Sequence, residues 1–400
     1  MSTPNAADIL VERRGRVSRS ELQRRWSAVR QAMSEHGVDA VVAHADYGGF
    51  GGYARYLSGL VAPLSGGLTV VFPLAGGMTV IEQGADGDRV VDPDSDALPG
   101  VERVVSTPYY PNVVYTDGDE GRLVAAALTD YRCRTVGLAG RQQLSTALVD
   151  HVKEHCPQLT FVDAGPLVDP IMAVKSQEER EFIRATGALQ DQVIQRVLGC
   201  LKPGVTERDM ALLTEHTARE LGAEQGFAIC ASAPVGQPVL PAKGGGRNRT
   251  LERGDFVQVM LEGSGPGGFY AHLVRGAVLG EVPRGLTDEF DFALAAQHFT
   301  LDLLRPGAQP AQIMTAYNDF LRSNDRPAER RFHAHGHGYD VMERPLIRAA
   351  ETMPIMANMN IGCHPTYLRG KVFAWVCSNY LTSDESPEPI HHLPTEILSL

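Results

Sequence analysis

Two short stretches, Leu201-Lys202-Pro203-Gly204-Val205 and Leu304-Arg305-Pro306-Gly307-Ala308, restrict the fold of this chain more than any other feature. Each closes one apolar helical pattern and opens another, because proline cannot continue a helix and glycine suits its C-terminal end. Before the first, Ser176-Gln177-Glu178-Glu179 reads as a capping box. It opens a helix with Phe182, Leu189, Val193, Val197 and Leu201 on one stripe. After it, Thr206 caps a second helix through Met210, Leu213 and Leu221. Around the second stretch, Thr287 is expected to cap a helix through Phe290, Leu294, His298 and Leu301, and another runs from Ile313 to Leu321. Such punctuation also recurs by chance; otherwise it marks two related α/β halves, with the cleft between them as the natural place for chemistry.

Upstream, residues 1–17 read as a tail. Ser18 or Ser20 caps a helix through Leu22, Trp26, Val29 and Met33 that stops at Gly37. A buried strand (38–43), a hairpin across Ala75-Gly76-Gly77, a helix through Leu123, Ala126 and Leu128, and the strand 135–139 follow. A helix from Ser145 to His155 and the strand 159–162 complete an α/β layer domain over residues 18–168. The break is expected at Asp169-Pro170, leaving 169–400 as the larger domain. A chain of 400 residues exceeds what one core comfortably organises, so two domains are expected.

The formal charge of −11, with no long Lys/Arg run to offset it, argues against nucleic acid as a partner. No stretch approaches the roughly 20 apolar residues that span a bilayer, and the charged N-terminal run from Val11 to Arg16 is unlike a signal peptide. Cys133, Cys156, Cys200, Cys230, Cys363 and Cys377 show no CxxC spacing, as expected of reduced thiols in a cytoplasm.

Chemistry concentrates in Arg331-Phe332-His333-Ala334-His335-Gly336-His337-Gly338-Tyr339, continuing through Glu343-Arg344-Pro345. If extended, this run projects His333, His335 and His337 from one face. Imidazole is a common metal ligand and proton carrier, which sets this cluster apart from an ordinary glycine-rich loop. Two apolar strand patterns each place one further histidine at or near a strand end: His272, after Gly254–Gly263 and Phe269-Tyr270-Ala271, and His364, after Asn358–Cys363.

At these residues the chain resembles the creatinase, prolidase, aminopeptidase-P and methionine-aminopeptidase family. Tyr56-Leu57-Ser58-Gly59 is similar to that family's Tyr-Leu-Thr-Gly, and Val174–Glu181 to its linker helix. The resemblance covers about residues 18–385 and implies an α/β (α+β) chain: a smaller N-terminal creatinase-like domain and a C-terminal pita-bread domain. Metallopeptidase members hold two metals with two Asp, one His and two Glu. Carried over residue by residue, the first Asp becomes Met260, the second His272, the ligand His is His335, and the first Glu becomes His364. The last Glu falls near Val376, beside Trp375 and Cys377, and a further family histidine becomes Met342.

His272, His335 and His364 would therefore surround one metal, a divalent zinc, iron or copper ion, while the second metal's own positions are apolar. Creatinase works without metal through a histidine whose counterpart is Lys243. Lys243, His337 and Glu343 are the candidate acid–base residues. Arg275, Arg344, Tyr270 and Tyr339 flank the site as candidate substrate contacts. Tyr53 and Arg55 match a region that creatinase-like homodimers insert into the partner's site. The resemblance favours hydrolysis of a C–N bond in a small amino-acid-like or carboxylate-bearing molecule. Iron- or copper-dependent oxidation, a lyase reaction, metal-free amidino-hydrolysis and a non-catalytic binding module stay open.

Overall fold

A computed structural model of the chain describes residues 17–46, 50–63, 66–84, 88–108, 113–239, 247–369 and 372–400. It divides into two compact units, one ending at Met172 and the other beginning at Ala173. The expected break at Asp169-Pro170 falls inside the helix Gly165–Ala173, which carries Pro170 in its interior. A proline there forfeits one backbone hydrogen bond, and here that loss does not end the helix.

In the first unit, Ser18 Oγ accepts from the Glu21 amide to start the helix Arg19–His36, and Gly37 ends it with φ 64°. One mixed sheet runs in the spatial order Arg89–Val90, Val101–Thr107, Met78–Gln83, Leu68–Pro73, Ala40–Ala45, Thr135–Ala139, Thr160–Asp163. The helices Asp119–Asp130 and Thr146–His155 bury Leu123, Leu128, Leu148 and Val152 against its Val42, Val71, Ile81 and Val136.

The second unit contains two helix pairs, each beside a sheet, and each Pro-Gly stretch lies between the two helices of a pair. Helix α1 (Gln177–Leu198) starts at a reciprocal capping box of Ser176 and Glu179, and α2 (Glu207–Glu220) at one of Thr206 and Asp209. They cover a sheet of β1 (Gln225–Pro234), β2 (Asp255–Ser264) and β3 (Tyr270–Val278), with Ile397–Ser399 along the far side of β3. Val193, Ile194 and Val197 pack there on Val257, Val259 and Leu273.

The other helix pair is α3 (Arg284–Leu303) and α4 (Pro310–Ser323). Helix α3 begins before Thr287: Pro283, extended at φ −76° and ψ 144°, takes the N-cap position. Proline's fixed φ suits that entry and its missing N–H costs nothing there. Beside this pair lie β4 (Ala334–Gly336), β5 (Glu343–Leu346), β6 (Asn360–Cys363) and β7 (Ser378–Leu381), in the order β5-β4-β6-β7. An antiparallel bridge between Val274 and Cys377 ties β3 of the first half to the segment entering β7 of the second. Among the described residues, no helix is long and apolar enough to cross a membrane.

Candidate metal centre

The bridge at Val274 and Cys377 is what brings distant histidines together. On β3, His272 stands opposite Glu262 of β2. On β4, His335 stands opposite Gly362 of β6. The pairing continues past the strand ends: the His337 amide donates to the Asn360 carbonyl at 2.8 Å, and the His364 amide to the His333 carbonyl at 2.8 Å. The rings of His272, His335 and His364 then form a near-equilateral triangle, with centroids 5.5, 5.4 and 5.2 Å apart. His337 is closer in, 4.4 Å from both His272 and His335.

His333 departs from the expected single face. The extended run begins only at Ala334, and the His333 ring stacks on Tyr317 of α4, 3.4 Å between centroids and 6° from parallel. Its two nitrogens are buried without a hydrogen-bond partner among the described residues, and burial pushes its pKa down to about 3.

Primary amides hold the strand that carries His272. Gln190 of α1 donates to the carbonyls of Gly263 and Ala271 at 3.0 and 2.7 Å. Asn360 Nδ2 donates to the Tyr270 carbonyl at 3.0 Å, and Asn379 Oδ1 accepts from the His272 amide at 3.0 Å. The backbone from 270 to 272 is thereby pinned residue by residue, which fixes where the imidazole leaves the sheet. His391 completes the network: its Nδ1 accepts from the Asn379 amide at 3.2 Å and its Nε2 donates to Gln190 Oε1 at 2.9 Å.

Electrostatically, the cluster favours uncharged imidazole. Burial first, then neighbouring histidines, holds His272 and His337 well below the usual range. Burial does the same to His364, followed by His335, His333 and Arg331. His335 is lowered to about 4, burial outweighing the help of the Gly336 carbonyl. Neutral imidazole is the ligand form. His335 Nδ1 lies 2.9 Å from that carbonyl, which can only accept, so Nε2 carries the lone pair. His272 Nε2 is buried without a hydrogen-bond partner among the described residues.

These residues suit a metal ion. Nitrogens at about 2.0–2.1 Å from a tetrahedral zinc-like ion place neighbouring ring centroids roughly 5.2 Å apart. The triangle of His272, His335 and His364 matches that spacing, whereas 4.4 Å is tight for a tetrahedral pair. Nearest-atom proximity instead groups His272, His335 and His337, whose ligand atoms lie within 4.8 Å of one another. The two sets share His272 and His335 and differ in whether His337 or His364 completes them.

A cavity of about 680 Å³ opens onto the cluster, lined by His272, His335, His364, Glu262, Arg331, Phe332, Met260, Met342 and Trp375 among others. That size suits a small molecule. Burial pushes the Glu262 carboxyl up to about 7, and its Oε1 lies 3.6 Å from His337 Nε2 and 4.0 Å from His272 Nδ1.

Several expected site residues stand elsewhere. Arg275 is buried and donates to the carbonyls of Leu393 and Val274, at 2.7 and 2.8 Å. Arg344 is paired with Glu351, and Glu343 with Lys175 at 2.8 Å while accepting from the Tyr339 amide. Tyr270 donates to Gln225 at 2.8 Å, and Tyr339 stacks on Phe269 at 4.6 Å. None of these five lines the cavity; each is engaged by neighbours within the scaffold. Tyr53, which donates to Asp169, and the buried Arg55 belong to the first unit. Lys243 lies outside the described residues.

Sequence reasoning overlooked Arg331, Glu262 and Asn379. Arg331 was visible as a cation at the head of the histidine run, and Glu262 as a carboxylate inside an apolar strand pattern. Asn379 gave no signal.

With this geometry in hand, comparison with known proteins adds the lineage. The profile of Metallopeptidase family M24 matches residues 181–381. A probable dipeptidase PepE of Mycobacterium tuberculosis is 28% identical over 229 residues, 56% of this chain and 60% of that protein. The match thus spans less than two thirds of this curated relative. An X-Pro aminopeptidase structure from Thermotoga maritima superposes with a TM-score of 0.76 at 20% identity, covering 94% of this chain and 99% of that one. Dipeptidase PepE from Mycobacterium ulcerans gives 0.75 at 22% identity, covering 96% and 99%. At such identities the structural likeness speaks for the fold, which is pita-bread.

Proposed function

The chain belongs to metallopeptidase family M24, and from that premise we propose a hydrolase with one divalent metal ion, held by His272, His335 and His364. Its substrate in this reading is a small, carboxylate-bearing, amino-acid-like molecule, cleaved at a C–N bond. One observation carries the proposal: the three rings stand 5.2–5.5 Å apart at the edge of a cavity of small-molecule size.

A bound ion would supply Lewis acidity toward a substrate carbonyl. The remaining work falls to the chain's own side chains. Arg331 has no ion-pair partner among the described residues and lines the cavity, so it takes the substrate carboxylate. Met260, Phe332, Met342 and Trp375 form apolar walls. Glu262, with its pKa at about 7, takes a proton at one stage and returns it at another. A second reading, oxidative or lyase chemistry at an iron or copper centre, draws on the all-imidazole ligand set, which leaves the ion's charge uncompensated. The assembly in either reading is a homodimer, testable by light scattering.

Metal analysis of protein purified without chelator tests the proposal, alongside turnover of dipeptides and N-acyl amino acids with oxygen monitored. About one equivalent of metal is expected, lost in His272→Ala, His335→Ala and His364→Ala alike. Full turnover by metal-free protein in chelator would sink it, and oxygen consumption would transfer support to the second reading.

A further inference from the structure

We propose that Asn379 is a positioning residue: it fixes the proton of His337 on Nε2 and so keeps that imidazole a hydrogen-bond donor rather than a metal ligand. The last clause rests on the three-imidazole reading above; the tautomer does not.

The argument starts from backbone groups, whose roles are not negotiable. The His272 amide can only donate, so the Asn379 atom 3.0 Å from it is Oδ1. The other amide atom is therefore Nδ2, and its two hydrogens face Asn360 Oδ1 at 2.9 Å and His337 Nδ1 at 3.2 Å. Asn360 can be oriented independently. The Tyr270 carbonyl can only accept, so Asn360 Nδ2 lies at 3.0 Å from it and Oδ1 turns toward Asn379. Read from either end, the two amides agree.

A ring nitrogen that faces an N–H must offer its lone pair. Neutral His337 consequently carries its hydrogen on Nε2, and a protonated nitrogen cannot bind metal. The same reasoning gives His335 the opposite tautomer, since its Nδ1 faces a carbonyl at 2.9 Å. Two histidines in adjacent alternate positions thus differ in role because one faces a donor and the other an acceptor. His337 Nε2 is buried and has no hydrogen-bond partner among the described residues, and Glu262 Oε1 lies 3.6 Å from it. That is an N–H held ready for an acceptor beside the cavity, or for Glu262 after a shift of a few tenths of an ångström.

The test is long-range proton–nitrogen NMR of the full chain labelled with 15N-histidine, with His337 assigned through the signals lost in His337→Gln. In metal-free protein His337 should show a bare Nδ1 and a protonated Nε2. On adding one equivalent of Zn(II), the nitrogens of His272, His335 and His364 should move and those of His337 should keep their pattern. A proton on Nδ1 of His337, or a zinc-shifted Nε2, overturns the proposal. In Asn379→Asp the carboxylate accepts from both the His272 amide and His337, so the proton should move to Nδ1 and a fourth imidazole should respond to zinc. An unchanged tautomer in that variant would also overturn it. If wild-type protein takes up no zinc, the three-imidazole reading fails, while the metal-free spectrum still decides the tautomer.

Discussion

Gly362 offers the sharpest probe of the centre. A methyl group added there would lie 2.3 Å from His272 Nε2, 2.5 Å from His337 Cε1 and 2.9 Å from His337 Nδ1. Non-bonded heavy atoms relax at about 3.5 Å, so the two rings must retreat by roughly 1 Å. Gly362 has no left-handed φ, so alanine strains no backbone and the effect is purely that of the added methyl. Overpacking of this kind costs about 1–3 kcal/mol, or roughly 2–12 °C in Tm for a domain of this size. Metal sites tolerate only about 0.5 Å of displacement, so zinc affinity should fall tenfold or more. The assay is zinc competition against a chromogenic chelator, run beside thermal unfolding. Gly285→Ala is the control: that glycine has open space around its Cβ position and sits in the first turn of α3. It should leave both readings within error or raise Tm slightly. Wild-type zinc affinity in Gly362→Ala would refute the claim that these imidazoles converge on an ion.

Two further outcomes follow from the cavity and the core. Arg331→Gln should keep its metal but bind carboxylate dipeptides no better than their C-terminal amides, a loss of roughly 10- to 100-fold in preference that calorimetry can read. His333→Phe preserves the stack on Tyr317 and removes a histidine held at about 3. Because the unfolded chain binds that proton near 6.5, the wild-type penalty is absent above that pH and grows as pH falls toward 3. The variant should therefore gain about 2 kcal/mol at pH 5 and little at pH 8 in urea unfolding, with metal content unchanged. Equal gains at both pH values would contradict the assignment.

Much of the scaffold was legible because its signals are local. Ser18, one of two candidates, and Ser176 and Thr206 each cap the helix expected of them, and Ser145 caps the helix expected to begin there, since a cap needs only an amide three residues on. Pro283 displaced Thr287 at α3 for a reason just as local, but one that competing cap residues hide. The face shared by His335 and His337 followed from strand alternation. His333 broke the pattern because Tyr317, on a helix remote in sequence, offered its ring.

By itself, then, the order of amino acids marked several of the capped helices, the strand patterns beside them and the family. It also marked three widely separated histidines as candidates for one centre. Tertiary structure alone decided which guanidinium reaches the cavity, why Glu262 holds its proton so high, and how Asn379 and Asn360 assign a tautomer to His337. Those properties depend on distances between groups as many as 118 positions apart, Arg275 and Leu393 among them. Burial and hydrogen bonding act through space, and periodicity along a chain carries no record of what a strand will face once it is paired.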